Sequence, residues 1–186
     1  MKPAPFDYWP AESLEHALAL KAEHGDEARW LAGGQSLLPA MNLRLARPGI
    51  LIDLNPLAAL GTLEVGESRV ARIGALVRYR ALERDGAIAH HQALLAEAVP
   101  HVAHPQIRNR GTLCGNLAHA DPASELPAVM LALGARMLAR SIRGERWIAA
   151  DDFFVDLFTT ALAPDEMLAA VELPAPPSIS ASTATI

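Results

Sequence analysis

Two glycines, Gly33 and Gly34, stand between residues 29–31, which read as a strand, and a helix that starts near Ser36. This junction constrains the chain more than any other feature. A strand running straight into paired glycines needs a turn that residues without a Cβ adopt freely, and the helix after it begins with N–H groups that have no intrahelical acceptor. The neighbouring sequence completes the unit. Residues 6–9 read as an edge strand ending at Pro10. Ser13 reads as the N-cap of a helix carrying Leu14, Ala17, Leu18 and Lys21 at helical spacing, closed by Gly25. Pro39 is tolerated in the first turn of the second helix, and residues 50–54 read as a buried strand. Residues 1–55 thus predict a βαβαβ lobe, with Asn55-Pro56 as its boundary.

A second lobe is predicted over residues 56–174. Residues 62–65 and 69–73 read as paired strands joined by Gly66-Glu67-Ser68; helices follow over 79–84 and 92–99, with His90-His91 at a helix end. A helix over 124–133, strands over 136–140 and 146–149 about Arg143-Gly144, a helical turn over 151–154 and a last strand over 167–173 complete it. The mixture predicts an α+β fold. Residues 175–186 are low in bulk and without periodicity, and read as a disordered or aberrant tail.

Composition excludes several classes. The chain is 51% hydrophobic and 20% charged, a balance that folds. A net charge of −5 argues against a nucleic-acid partner, which calls for a basic face. No apolar run approaches the ~20 residues of a membrane span, and the N-terminus lacks the apolar core of a signal peptide. The single cysteine, Cys114, allows no internal disulfide and no iron–sulfur cluster, which takes about four thiolates. These features predict a soluble, cytoplasmic protein.

The stretch GTLCGNLAHADPASELPA, residues 111–128, is a second glycine-bearing segment. Gly111, Thr112, Gly115 and Asn116 offer bare backbone, a hydroxyl and an amide. Asp121 and Glu125 lie four apart, the latter on the rim of a helix read as beginning near Pro122, where carboxylates accept from sugar-type hydroxyls or N–H groups. Asp121 also reads as an N-cap with Pro122 at the first helical position. Cys114 reads as a small residue in a glycine-like place, open to solvent. The first loop, LAGGQSLLP, suits a phosphate through backbone N–H groups and the Ser36 hydroxyl. It is neither G-x-G-x-x-G nor a P-loop. Two such loops facing each other across a cleft would clamp a pyrophosphate and leave side chains for the attached hydroxyls.

His101, His104, His119 and Asp121 form a candidate metal set, since imidazole and carboxylate are usual zinc ligands. Pro105 spoils helical placement of the first pair, and hydrogen-bonding histidines are the competing reading. No Gly-x-Ser-x-Gly element supplies a nucleophile elbow. No metal ligand and no catalytic acid, base or nucleophile is assigned.

Four stretches then occur in order over residues 5–174: LAGGQSLLPAMNLRLARPGILIDL, IGALVRYRALE, HPQIRNRGTLCGNLAHADPASELPAVMLALGA, and GERWIAADDFF with TTAL following. Together they resemble the FAD-binding medium subunit of the molybdenum hydroxylases, the family of aerobic carbon monoxide dehydrogenase and the bacterial xanthine dehydrogenases. The resemblance implies the two-lobed FAD-binding fold of the vanillyl-alcohol-oxidase/PCMH type, with FAD between the lobes. It implies that Ala32, Gly33, Gly34, Gln35, Ser36 and Leu37 form the first pyrophosphate loop, and Gly111, Thr112, Cys114, Gly115 and Asn116 the second. Asp121 and Glu125 would sit on the polar cofactor-facing loop, with Val102 and Ala103 near the adenine. Cys114 stands where the family has glycine, and Glu125 where it has aspartate.

The implied function is that of an electron-transfer flavoprotein subunit. A large subunit oxidises the substrate at a molybdenum cofactor, a small 2Fe–2S subunit relays electrons to the FAD, and an external acceptor takes them, in a dimer of heterotrimers. The redox chemistry belongs to the flavin. The lone cysteine sets the chain apart from the hydroxybenzoyl-CoA reductase branch, whose flavin subunit carries an additional cysteine-ligated cluster. Family members continue past Pro174 into a C-terminal domain, so the resemblance also implies a shortened chain. Two alternatives follow: a non-catalytic interaction module that binds FAD weakly or only in complex, and a small metal hydrolase built on the histidine set.

Overall fold

The computed structural model describes residues 1–176; most of the predicted tail, residues 177–186, lies outside the described residues. The chain starts with β1 (Asp7–Pro10), α1 (Leu14–His24), β2 (Ala28–Leu31), α2 (Leu37–Asn42) and β3 (Ile50–Asp53). β3 lies between β1 and β2, parallel to both, and all four of its residues are buried. Parallel neighbours joined through helices explain why it reads as an unbroken apolar run. The Ser13 hydroxyl caps α1 by accepting from the His16 N–H at 3.0 Å, and Gly25 closes the helix at φ 49°. Lys21 is only 2% exposed. Its ammonium donates to the carbonyls of Gly25 at 2.6 Å and Ala28 at 2.8 Å, tying the end of α1 to the start of β2. Burial lowers its pKa.

Next come β4 (Leu63–Val65), β5 (Ala71–Gly74), α3 (Tyr79–Arg84), α4 (Gly86–His91), α5 (Ala93–Ala98), α6 (Pro105–Arg108), α7 (Leu113–His119) and α8 (Glu125–Ala132). β6 (Arg136–Ser141), β7 (Gly144–Ala149), α9 (Ala150–Phe153), the short pair β8 (Phe154–Asp156) and β9 (Thr159–Thr160), and β10 (Met167–Leu173) complete the described chain. A five-stranded antiparallel sheet has the order β4-β5-β10-β6-β7, so β10 sits at its centre.

The two faces of this sheet differ as strand alternation requires. Across one face Glu64, Arg72, Glu172 and Arg136 are in register, an alternating charge ladder, and the Arg72 and Arg136 guanidinium groups lie 5.6 and 5.1 Å from the Trp147 ring centre. On the other, Ile73, Val171 and Met137 are in register and fully buried. They join Ile50, Ile52, Leu113, Leu117 and Phe153 in one core that spans both sheets. Each such side chain stabilises the fold by ~1.5–3 kcal/mol. Among the described residues no helix is long and apolar enough to cross a membrane.

Candidate functional site

The first glycine loop leaves β2 at Leu31 and enters α2 at Leu37. Gly34 has φ 71°, in the left-handed region where a Cβ is unfavourable. The Gly34 and Ser36 carbonyls accept from Leu38 and Ala40 at 3.1 Å each and so start the helix, while the N–H groups of Gly33, Gly34, Gln35 and Ser36 have no acceptor in the described protein. Ser36 makes no side-chain cap, which leaves its hydroxyl uncommitted. Gln35 folds back and donates to the Gly33 carbonyl at 3.1 Å.

The second loop is built differently. Gly111 and Leu113 pair with the segment before α3: the Tyr79 N–H donates to the Gly111 carbonyl at 3.1 Å and the Leu113 N–H to the Val77 carbonyl at 3.3 Å. Thr112, buried, then caps α7, its hydroxyl accepting from the Gly115 N–H at 3.1 Å. This corrects the reading of residues 111–116 as loop. Cys114, Gly115 and Asn116 lie in a helix, whose inner face is Leu113, Cys114 and Leu117. Cys114 is accordingly buried, not open to solvent: it is 2% exposed, and burial pushes its thiol up to about 12. Only its backbone can serve a ligand. The N–H groups of Thr112 and Cys114 have no acceptor in the described protein.

The glycines let the two loops touch. A Cβ on Gly33 would lie 2.5 Å from the Arg110 carbonyl oxygen and 2.8 Å from the Gly111 Cα. A Cβ on Gly111 would lie 2.6 Å from the Tyr79 ring. Backbone therefore packs on backbone, and both loops line a cleft of about 720 Å³. That size suits an organic cofactor.

Ala32, Gly33, Gly34, Gln35, Ser36 and Leu37 line this cleft from the segment between β2 and α2. Gly111, Thr112, Cys114, Gly115, Asn116 and Glu125 line it from the other side, as do Val102 and Ala103. Ala103 has φ 46°, and the buried Arg108 guanidinium holds this turn by donating to the Val102 and Ala103 carbonyls at 3.1 Å each. Arg108 pairs in turn with Glu83 at 2.9 Å. Hydrogen bonding from Arg80 holds the Glu83 carboxyl below its ordinary pKa, with Arg108 adding to the effect.

Asp121 stands apart. It does not line the cleft; its carboxylate accepts from the Ala123 N–H at 2.9 Å in a local turn, and α8 begins at Glu125 rather than near Pro122. Asp121 and Glu125 thus do not share one helix. Asn116 is fixed by Ser124, whose hydroxyl donates to its side-chain oxygen at 2.8 Å.

Sequence reasoning missed the apolar floor of the cleft, which includes Trp30, Leu54, Tyr79, Met167 and Leu168. Burial pushes the Tyr79 hydroxyl above its ordinary pKa, against an opposing hydrogen bond with Asn116. Tyr79 lies within IGALVRYRALE, but its role depends on contact with Gly111, 32 residues away. The histidines do not converge. His104 meets Gln106 at 2.9 Å, His119 packs on Phe158, and no three His, Cys, Asp or Glu side chains among the described residues form a metal-binding group.

The description "FAD binding domain in molybdopterin dehydrogenase" matches residues 4–176. The chain belongs to this family. Similar relatives include the 6-hydroxypseudooxynicotine dehydrogenase complex subunit alpha of Paenarthrobacter nicotinovorans, 46% identical over 94% of this chain and 58% of its own length. The carbon monoxide dehydrogenase medium chain of Afipia carboxidovorans is 40% identical over 96% of this chain and 62% of its own. Among solved structures, carbon monoxide dehydrogenase from Hydrogenophaga pseudoflava aligns with a TM-score of 0.92 at 37% identity, over 96% of this chain and 62% of that one. The chain therefore spans about 60% of the length of these relatives. The fold is the α+β fold of the family's FAD-binding domain, and FAD is the family's cofactor. The uncommitted N–H groups on both loops fit a pyrophosphate.

Proposed function

We propose that this chain is the FAD-holding electron-transfer subunit of a molybdenum hydroxylase. The observation that carries the reading is the meeting of two glycine loops on one cleft, each with N–H groups free to donate. Gly33, Gly34, Gln35 and Ser36 bind one side of the pyrophosphate, and Thr112 and Cys114 bind the other through their backbone. Asn116 and Glu125 accept from or donate to hydroxyl groups, and Val102 and Ala103 border the adenine. Arg29 and His119 are the basic side chains that line the cleft, and the backbone N–H groups of the two loops carry the phosphate charge.

When bound, FAD supplies electron uptake and release at its isoalloxazine. The chain's own residues orient it and exclude water; none acts as acid, base or nucleophile. A large subunit with a molybdenum cofactor and a small 2Fe–2S subunit are the partners, assembled as a dimer of heterotrimers in the cytoplasm, and an external acceptor takes the electrons. The test is flavin titration of the purified chain, read by visible absorbance. Saturable binding of FAD in preference to FMN is expected, with flavin retention abolished by Gly34→Val and by Asn116→Leu in folded protein. Full retention in both variants would overturn the assignment.

A further inference from the structure

A line of side chains runs behind the two loops without entering the cleft. Asn55, just past β3, donates from Nδ2 to the Ala32 carbonyl at 3.1 Å. In a trans peptide the next N–H points the opposite way, so this bond sets the direction of the Gly33 N–H. The Asn55 side-chain oxygen accepts from one terminal nitrogen of Arg78, and the other terminal nitrogen of Arg78 donates to the Arg110 carbonyl, immediately before Gly111. Asp53 fixes the near end: its Oδ1 accepts from the Asn55 backbone N–H at 3.0 Å, and its Oδ2 from the Tyr8 hydroxyl. The far end is fixed because Arg78 lies in the segment whose backbone pairs with residues 111–113.

We infer that Arg78 is a positioning residue for the cofactor: with Asn55 it forms a strut that sets the spacing and orientation of the two pyrophosphate loops. A planar guanidinium reaches an amide oxygen and a carbonyl at once from one fixed fork; a lysine ammonium on a flexible stem does not hold both in that geometry. Gly33 resting on Arg110 and Gly111 sets how close the loops come, and the strut opposes their separation. The inference rests on the reading of this cleft as an FAD site. A pyrophosphate needs both loops together, whereas a monophosphate needs one, so loss of the strut weakens FAD more than FMN.

The experiment compares the wild-type chain with Arg78→Met, Arg78→Lys, Asn55→Leu and the Arg78→Met/Asn55→Leu double variant. It measures FAD and FMN affinity by fluorescence titration and amide hydrogen exchange over residues 32–37 and 110–113 without flavin. Either single break is expected to lower FAD affinity by about 10- to 100-fold, the scale of a lost charge-assisted hydrogen bond, and to speed exchange in both loops. FMN affinity should stay within about twofold, and the double variant should be no weaker than the weaker single one. Arg78→Lys should fall between Arg78→Met and wild type. Equal loss of both flavins, additive losses in the double variant, or unchanged exchange would overturn the strut. If the wild type takes up neither flavin, the FAD reading fails, and loop exchange alone then decides whether the strut exists.

Discussion

The two glycine loops look alike in sequence and differ in what their glycines do. In the first, Gly34 is required by backbone conformation, at φ 71°, and four consecutive N–H groups are left free. In the second, Gly111 and Gly115 have ordinary dihedrals and are required by space: a Cβ would strike the Tyr79 ring at 2.6 Å or the Thr112 hydroxyl at 2.7 Å. The first loop is an open donor surface. The second is a strand pairing that passes into a capped helix and spends most of its donors on itself. One residue type therefore marks a ligand-facing turn at Gly34 and close packing at Gly33, Gly111 and Gly115.

Substitutions should separate these roles. Gly111→Val should have the largest effect, because the added methyls have no space between Tyr79 and the Ile107 carbonyl: a stability loss of about 3 kcal/mol with flavin binding gone, read by urea melts. Gly34→Val should cost about 1–2 kcal/mol of backbone strain, yet abolish FAD retention in protein that still melts cooperatively. If Gly34→Val were the more destabilising of the two, the contrast between the loops would be wrong. Thr112→Ala should remove the cap of α7, lowering stability by about 1 kcal/mol, with FAD affinity falling less than in Gly34→Val.

Cys114→Ala should change FAD affinity least, within about twofold, since only the backbone of this residue faces the cleft. Its effect lies in the pH dependence. Burial pushes the thiol up to about 12 in the fold from an ordinary 9.0. Below the lower value both folded and unfolded chains keep the proton. Above it the unfolded chain loses the proton and the folded chain keeps it, so stability falls by about 1.4 kcal/mol per pH unit. Tyr79 and Lys21 add their own alkaline pH dependence to both proteins, so melts should show wild type falling more steeply than Cys114→Ala above pH 9.0, and equal slopes would remove the thiol's contribution.

Much of the fold was legible because its signals are local. Ser13 with Gly25 framed α1, the apolar run at residues 50–54 marked β3, and residues 79–84 and 167–173 coincided with α3 and β10. α7 was not, although Leu113, Cys114 and Leu117 carry a helical spacing, because its Gly115 and small neighbours read as turn. Asp121-Pro122 imitates a helix start, but the Asp121 carboxylate caps a turn and lies four residues before the first residue of α8. Arg78 gave no signal at all. Its partners lie 23 and 32 residues away, and only the folded chain brings them together.

The central place of β10 governs the order of events during synthesis. The three-stranded sheet is complete once β3 has emerged and can pair early. The larger sheet cannot: β5 and β6 are joined only through β10, so its two hairpin halves wait for the last described strand. Met167 and Leu168 of that strand also floor the cleft. Pairings this distant in sequence form slowly, and exposed strand edges persist until they do. The cleft is therefore incomplete until β10 has emerged, and the nascent chain passes through a stage with a finished three-stranded sheet and nowhere to hold a flavin.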